Sequence, residues 1–240
     1  MKKITMLAAV LLFAVTATFA QAKKKVAVVT FYADKMVDLS DVGLSGIAAI
    51  ADLKNDPDFN LAPLLQQYHD KFFNDYAKKF PFELTDETLV TGNADYHAFQ
   101  PTFLGMKQDM SNFQLYPGYE AIDPTWSGAN VNGMLKAFPD VDGVMFVYIS
   151  FALVKGFGVG GTASTKMRAF THIALYNKKG DKVFVINEHA NSSKTGVMVG
   201  GIPVMKPEKV LPMCESALKE LMEDLDKRIQ KIIDKSGKKL

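Results

Sequence analysis

Apolar residues crowd the start of this chain before any periodicity begins. Lys2 and Lys3 precede an apolar run from Ile4 to Phe19, interrupted only by Thr5, Thr16 and Thr18, and Ala20-Gln21-Ala22 follows as a small-x-small site. That layout predicts a secretory signal cleaved near Ala22. The alternative, an N-terminal anchor, needs about 20 apolar residues to span a bilayer, more than this run supplies.

Past Ala22 the pattern resolves into strands and helices. Lys25 to Tyr32 (KVAVVTFY) is β-branched and apolar, which predicts a buried first strand. Gly43 to Asp52 is a candidate short helix, and Asn55-Asp56-Pro57-Asp58 is a turn. Leu61, Leu64, Leu65, Tyr68, Phe72 and Tyr76 share one face of a helix that Pro81 ends. Phe82 to Val90 reads as a strand and Asn130 to Phe138 as a helix. Gly143 to Val154 (GVMFVYISFALV) is apolar on both faces, as a central strand would be. Thr165 to Tyr176 alternates, Asn177 to Asp181 turns the chain, and Lys182 to Ala190 returns as the hairpin partner. From Pro207 a helix runs towards Asp234 with a stripe of Leu211, Cys214, Leu218, Leu221, Leu225, Ile229 and Ile232.

Residues 91–128 have no clean period. They carry His97, Phe99, Phe103, Phe113, Tyr116, Tyr119 and Trp126 among Pro, Gly, Asp and Ser. Such an aromatic segment is either a lid folded over the core or a segment that binds a partner. The elements together predict one α/β domain over residues 23–240. Its mixed sheet would have about five strands with helices packed on it, a C-terminal hairpin and a long C-terminal helix.

Charge changes the picture only once the signal is set aside. The chain has 28 Lys and Arg against 26 Asp and Glu, and cleavage removes Lys2 and Lys3 and no acid, so the two signs balance. Balanced charge gives no electrostatic reason to expect nucleic acid as a partner. Hydrophobic residues make up 48% of the chain, enough for a folded globule. Cys214 is the single cysteine, so no intramolecular disulfide and no lipid-accepting cysteine after the signal are available. With no further spanning segment, the exported chain is expected in a bacterial periplasm.

Catalytic motifs are weak. Gly156-Phe157-Gly158-Val159-Gly160-Gly161 satisfies G-x-G-x-x-G, but a dinucleotide site also needs a helix opening at the third glycine. A strand follows instead, so no cofactor is expected, and the glycines read as a flexible loop. Gly43-Leu44-Ser45-Gly46 falls short of a nucleophile elbow. His69, His97, His172 and His189 are scattered without metal-ligand spacing. No catalytic or metal-binding residue is assigned.

Two groupings remain. If Asn177 faces Asp181, then Phe170 faces Glu188 and His172 faces Ile186, which puts Arg168, His172 and Glu188 on one face of the hairpin. That cluster is either an anion or proton-transfer site or a solvated cross-strand ion pair, and a one-residue slip dissolves it. The loops 156–164 and 192–204 must emerge at one end of the sheet, where Phe157, Val159, Val197 and Met198 would form an apolar contact for a partner or a membrane. Packing under residues 91–128 is the alternative.

The order of elements resembles that of envelope α/β domains: the curli-secretion lipoprotein, the lipoprotein activator of penicillin-binding proteins and the N-terminal domain of the Tol translocation protein. The likeness is carried by KKVAVVTF at 24–31, VDGVMFVYIS at 141–150 and ALYNKKGDKVFV at 174–185 with the following helix. The chain departs from the lipoproteins in lacking an acylated cysteine and in its insertion at 91–128. The resemblance implies an assembly or scaffolding role and carries over no functional residue. The expected function is thus a non-catalytic binding or assembly protein with an envelope protein partner. The alternative is a small-ligand binder or hydrolase, its pocket roofed by 91–128 and walled by Arg168, His172 and Glu188.

Overall fold

The computed structural model describes residues 23–43, 53–107, 109–159, 161–204 and 207–236. The expected signal and the expected 43–52 helix, apart from Gly43, lie outside them. Strand β1 (Lys25–Asp34) forms where the first apolar run predicts it. Asn60 Oδ1 accepts the Ala62 N–H (2.9 Å) ahead of helix α1 (Ala62–Lys71), which continues as a π turn (Phe72–Tyr76). All six apolar positions of the predicted stripe, from Leu61 to Tyr76, are buried.

The expected strand at 82–90 is confined to β2 (Glu83–Leu84). Asp86 then accepts the Thr88 N–H (2.9 Å) and caps α2 (Glu87–Thr91). A side-chain cap at that position favours a helical turn over continued pairing. Asn93 caps α3 (Ala94–Ala98) in the same way. A small hairpin of β3 (Thr102–Phe103) and β4 (Met106–Lys107) follows, then β5 (Phe113–Leu115) and, behind the Ser127 cap, α4 (Gly128–Ala137). Long strands β6 (Gly143–Val159), β7 (Thr162–Asn177) and β8 (Lys182–Val199), short β9 (Ile202–Val204) and helix α5 (Val210–Ser236) complete the chain.

The architecture is a mixed α/β sheet with helices packed on it and a long C-terminal helix. Among the described residues it has seven strands rather than about five, in the order β2-β1-β6-β7-β8-β9 with β5 also on β1. The additions, β5 and β9, are three-residue strands, too short for a period to reveal. Strand β6 is central, parallel to β1 and antiparallel to β7. Helices α1 and α5 cover one face: Tyr68 Oη meets Thr171 Oγ1, Tyr76 Oη donates to the Met222 carbonyl (3.1 Å), and Phe80 stacks on Phe184. Cys214, Leu218, Leu221, Leu225 and Ile229 of α5 are fully buried, Leu211 is half-buried, and Ile233 joins them. Each such aliphatic side chain contributes about 1.5–3 kcal/mol.

The aromatic segment wraps the β1 edge and packs on both faces. Tyr96 Oη donates to the Val29 carbonyl (2.9 Å) and accepts the Glu120 N–H (2.7 Å). Tyr116 and Tyr119 pack on Phe31 on the helix side, and Phe113 packs on Tyr32 on the other. The core-covering reading of 91–128 therefore describes its position. The β3–β4 turn is different, because Phe103, Leu104 and Met106 are exposed. Leu104 sits at φ 50° and Gly105 at φ 80°, the two-residue turn that asparagine-glycine favours. Leu104→Asn is expected to raise the unfolding free energy by about 0.5–1 kcal/mol, part of the roughly 1–2 kcal/mol that a left-handed L-residue costs; urea titration reads this.

Candidate interaction surface

Strand alternation gives β7 and β8 two faces, and among the described residues no helix covers one of them. Across it run rows of residues in register. Nearest the aromatic segment, Tyr32, Tyr148, His172 and Asn187 face one another on β1, β6, β7 and β8. Tyr32 stacks on Tyr148 (4.9 Å, 7°), and Tyr148 on His172 (4.8 Å, 22°). His172 Nδ1 donates to Asn187 Oδ1 (2.5 Å), while its buried Nε2 has no hydrogen-bond partner. Burial lowers the His172 pKa, so the ring is neutral near pH 7. One row along, Asp34 accepts the Met36 N–H (2.8 Å), and burial, helped by the Asp123 charge, pushes its carboxyl up to about 6. Asp34, Tyr148, Phe170 and His172 line a cleft of about 360 Å³.

The predicted Arg168–His172–Glu188 cluster does not form. Tyr176 pairs with Lys182 as expected, but a bulge at Val183 shifts everything beyond it: Leu175 faces Phe184, His172 faces Asn187 and Phe170 faces His189. One extra residue turns every following side chain to the opposite face. Glu188 therefore sits opposite Thr171 on the helix side, where Arg228 of α5 holds it (2.5 Å). Arg168 stays on the open face and donates to Asn191 Oδ1 (2.8 Å). His172 hydrogen-bonds neither a carboxylate nor a hydroxyl, and Glu188 does not wall the cleft it lines.

The expected loops 156–164 and 192–204 are also corrected. Strands β6 and β7 run on to Val159 and Thr162, and β8 and β9 to Val199 and Ile202, forming a four-stranded ribbon. The glycines serve the pairing rather than interrupt it: a Cβ on Gly158 would lie 2.6 Å from the Ala163 Cβ. Gly200 and Gly201 both take positive φ, as a two-residue hairpin turn requires. The Gly200 N–H donates to the Gly161 carbonyl (2.9 Å) and ties the two turns side by side.

At this tip Val159, Thr162, Val199 and Ile202 form one cross-strand row. Val197, two residues back on β8, shares its face, and Phe157 lies beside the row at the irregularity between Lys155 and Gly158. Phe157 is 83% exposed, Val159 72%, Val199 51%, Ile202 50% and Val197 49%. Met198 has the opposite parity and is buried against the core, so it is not part of the surface. Sequence reasoning missed Val199 and Ile202 because it placed both in loops. It missed Tyr32, Asp34 and Tyr148 because the parallel pairing of β1 with β6, which aligns them, has no local signal.

His69, His97 and Tyr119 have structural partners. His69 Nε2 and Tyr119 Oη both meet Glu87 Oε1 (2.8 Å each), and His97 Nδ1 meets Glu120 (2.9 Å), pinning the aromatic segment. Burial pushes the Cys214 thiol up, which leaves it a neutral core residue. Among the described residues no group of three His, Cys, Asp or Glu could hold a metal ion, and no helix is long and apolar enough to cross a membrane.

No protein family and no curated protein matches the chain in sequence. Among solved structures, a hypothetical protein from Chlamydia trachomatis is similar over 88% of this chain and 98% of its own, at 8% identity and a TM-score of 0.37.

Proposed function

We propose that the chain is an exported, non-catalytic binding or assembly protein of the cell envelope, which docks through the tip of its four-stranded ribbon. One observation carries this: five large apolar side chains gather at the tip and are about half open to solvent or more, from Phe157 at 83% to Val197 at 49%. A contiguous apolar patch left bare by an otherwise well-packed core marks a contact surface. The signal-like N-terminus supports an extracytoplasmic site of action, and the element order shared with envelope α/β domains supports an assembly role.

The test is a triple substitution, Phe157→Ser, Val199→Thr and Ile202→Thr. These side chains are exposed, so stability is expected to stay within about 1 kcal/mol, checked by thermal melting. The fraction of protein that sediments with cell envelopes is expected to fall about tenfold or more. Sedimentation equal to that of the unaltered chain would overturn the proposal.

A further inference from the structure

Lysines bracket both hairpins of the tip. Lys155 and Lys166 enclose GFGVGGTAST, and Lys194 and Lys206 enclose TGVMVGGIPVM, with no charged residue inside either stretch. Lys206 lies outside the described residues. The other three approach the tip from both sides of the ribbon: Lys166 shares the open face, one row behind Val197, with Arg168 behind it. Lys155 and Lys194 are exposed and Lys166 is half-exposed. The Asp41 carboxylate at the base of the ribbon accepts the Lys155 backbone N–H (2.7 Å), and Glu215 of α5 lies near Lys194 around the hollow between α1 and α5. Ahead of these lysines the tip carries no acid.

The shape adds a second constraint. The two turns are tied together, and their apolar residues stand out from the ribbon end instead of lining a groove. Lys166 is four residues from the turn at Thr162, about 13 Å at roughly 3.3 Å per residue. An apolar element at a bilayer surface sits about 5–10 Å into the boundary between headgroups and acyl chains. Lysines set that far behind such an element reach the headgroup phosphates while their stems lie along apolar surface.

Resting on the docking surface proposed above, we infer that its occupant is an anionic lipid surface: Phe157, Val159, Val199 and Ile202 enter the headgroup–acyl boundary and Lys155, Lys166 and Lys194 hold lipid phosphates. The paired backbone of the ribbon interior suits this site, since its hydrogen bonds are already made before the tip meets the lipid.

The experiment uses the protein purified as the cell exports it, with protein-free vesicles of phosphatidylcholine alone or with about one third phosphatidylglycerol. Partition onto the anionic vesicles is expected to be at least about tenfold stronger, and to weaken several-fold between low and physiological salt. Replacing Lys155 and Lys166 with glutamine is expected to cost about fivefold per lysine on anionic vesicles only. Phe157→Trp, which keeps an aromatic ring at the tip, is expected to show a blue-shifted emission on binding. Absence of binding to anionic vesicles would overturn the lipid inference. If envelope sedimentation still depends on the tip, the docking proposal stands with a protein as occupant; if it does not, both fall.

Discussion

Phe31→Ala is expected to remove about 3–5 kcal/mol of stability, the range for deleting a buried aromatic side chain. Phe31 is fully buried and is the point where three elements meet. Its ring lies within about 6 Å of Tyr68, His69, Phe72 and Phe73 of the first helical segment and of Tyr116 and Tyr119 of the aromatic segment. Those neighbours are held independently, by Tyr68 on Thr171 and by Tyr119 on Glu87, so the site cannot collapse around the void. The loss should therefore fall at the upper end, and amide exchange should quicken first around residues 116–122. A loss below about 1 kcal/mol by urea unfolding would refute this account of the core.

Asp34→Asn is expected to stabilise the protein at neutral pH by about 2–3 kcal/mol. Burial holds the folded carboxyl's pKa at about 6, whereas an unfolded aspartate ionises near 3.9. The folded state therefore retains a proton that the unfolded state releases. The stability contributed by protonated Asp34 is fully present below about pH 4 and is lost as pH rises through 6, at 1.36 kcal/mol per pKa unit. Asparagine resembles the protonated acid, and its Oδ1 can still accept the Met36 N–H. The variant's advantage should be near zero at pH 4 and grow to its full size by pH 7. His172, whose pKa burial lowers, acts oppositely, its contribution being lost as pH falls, but it is common to both proteins and cancels in the difference. An advantage that does not vary over this range would overturn the assignment.

A carboxyl kept at that cost beside Tyr148 and His172 is one of two local conflicts on the open sheet face; the other is the bare apolar tip. Local rules are most often broken where a surface is reserved for contact. The two differ in how far they were legible. Phe157, Val159 and Val197 stood out in sequence as apolar residues among glycines. The cleft did not, because Asp34 and Tyr148 lie far apart in the chain and only the parallel pairing of β1 with β6 aligns them.

The longer helices were read, since the stripes from Leu61 to Tyr76 and from Cys214 to Ile229 repeat the helical period and are buried; the short α2 and α3 were not, because five residues hold too little of a period and the caps at Asp86 and Asn93 decide them. A period survives any detail of the partner. Strand identity was equally plain for Lys25 to Tyr32 and Gly143 to Val154, whose β-branched runs suit a sheet covered on both sides. Pairing register was decided elsewhere: one bulged residue at Val183, invisible to alternation, moved Glu188 from the open face to Arg228 on α5. The glycine-rich stretches were decided by tertiary structure as well. In isolation such residues favour loops, but here strands approach so closely at Gly156 and Gly158 that a Cβ would collide. Sequence alone thus determined which residues must leave water. The sheet decided which of them could not, and left Phe157, Val159, Val199 and Ile202 at its tip because no element of the described chain reaches past the ribbon to cover them.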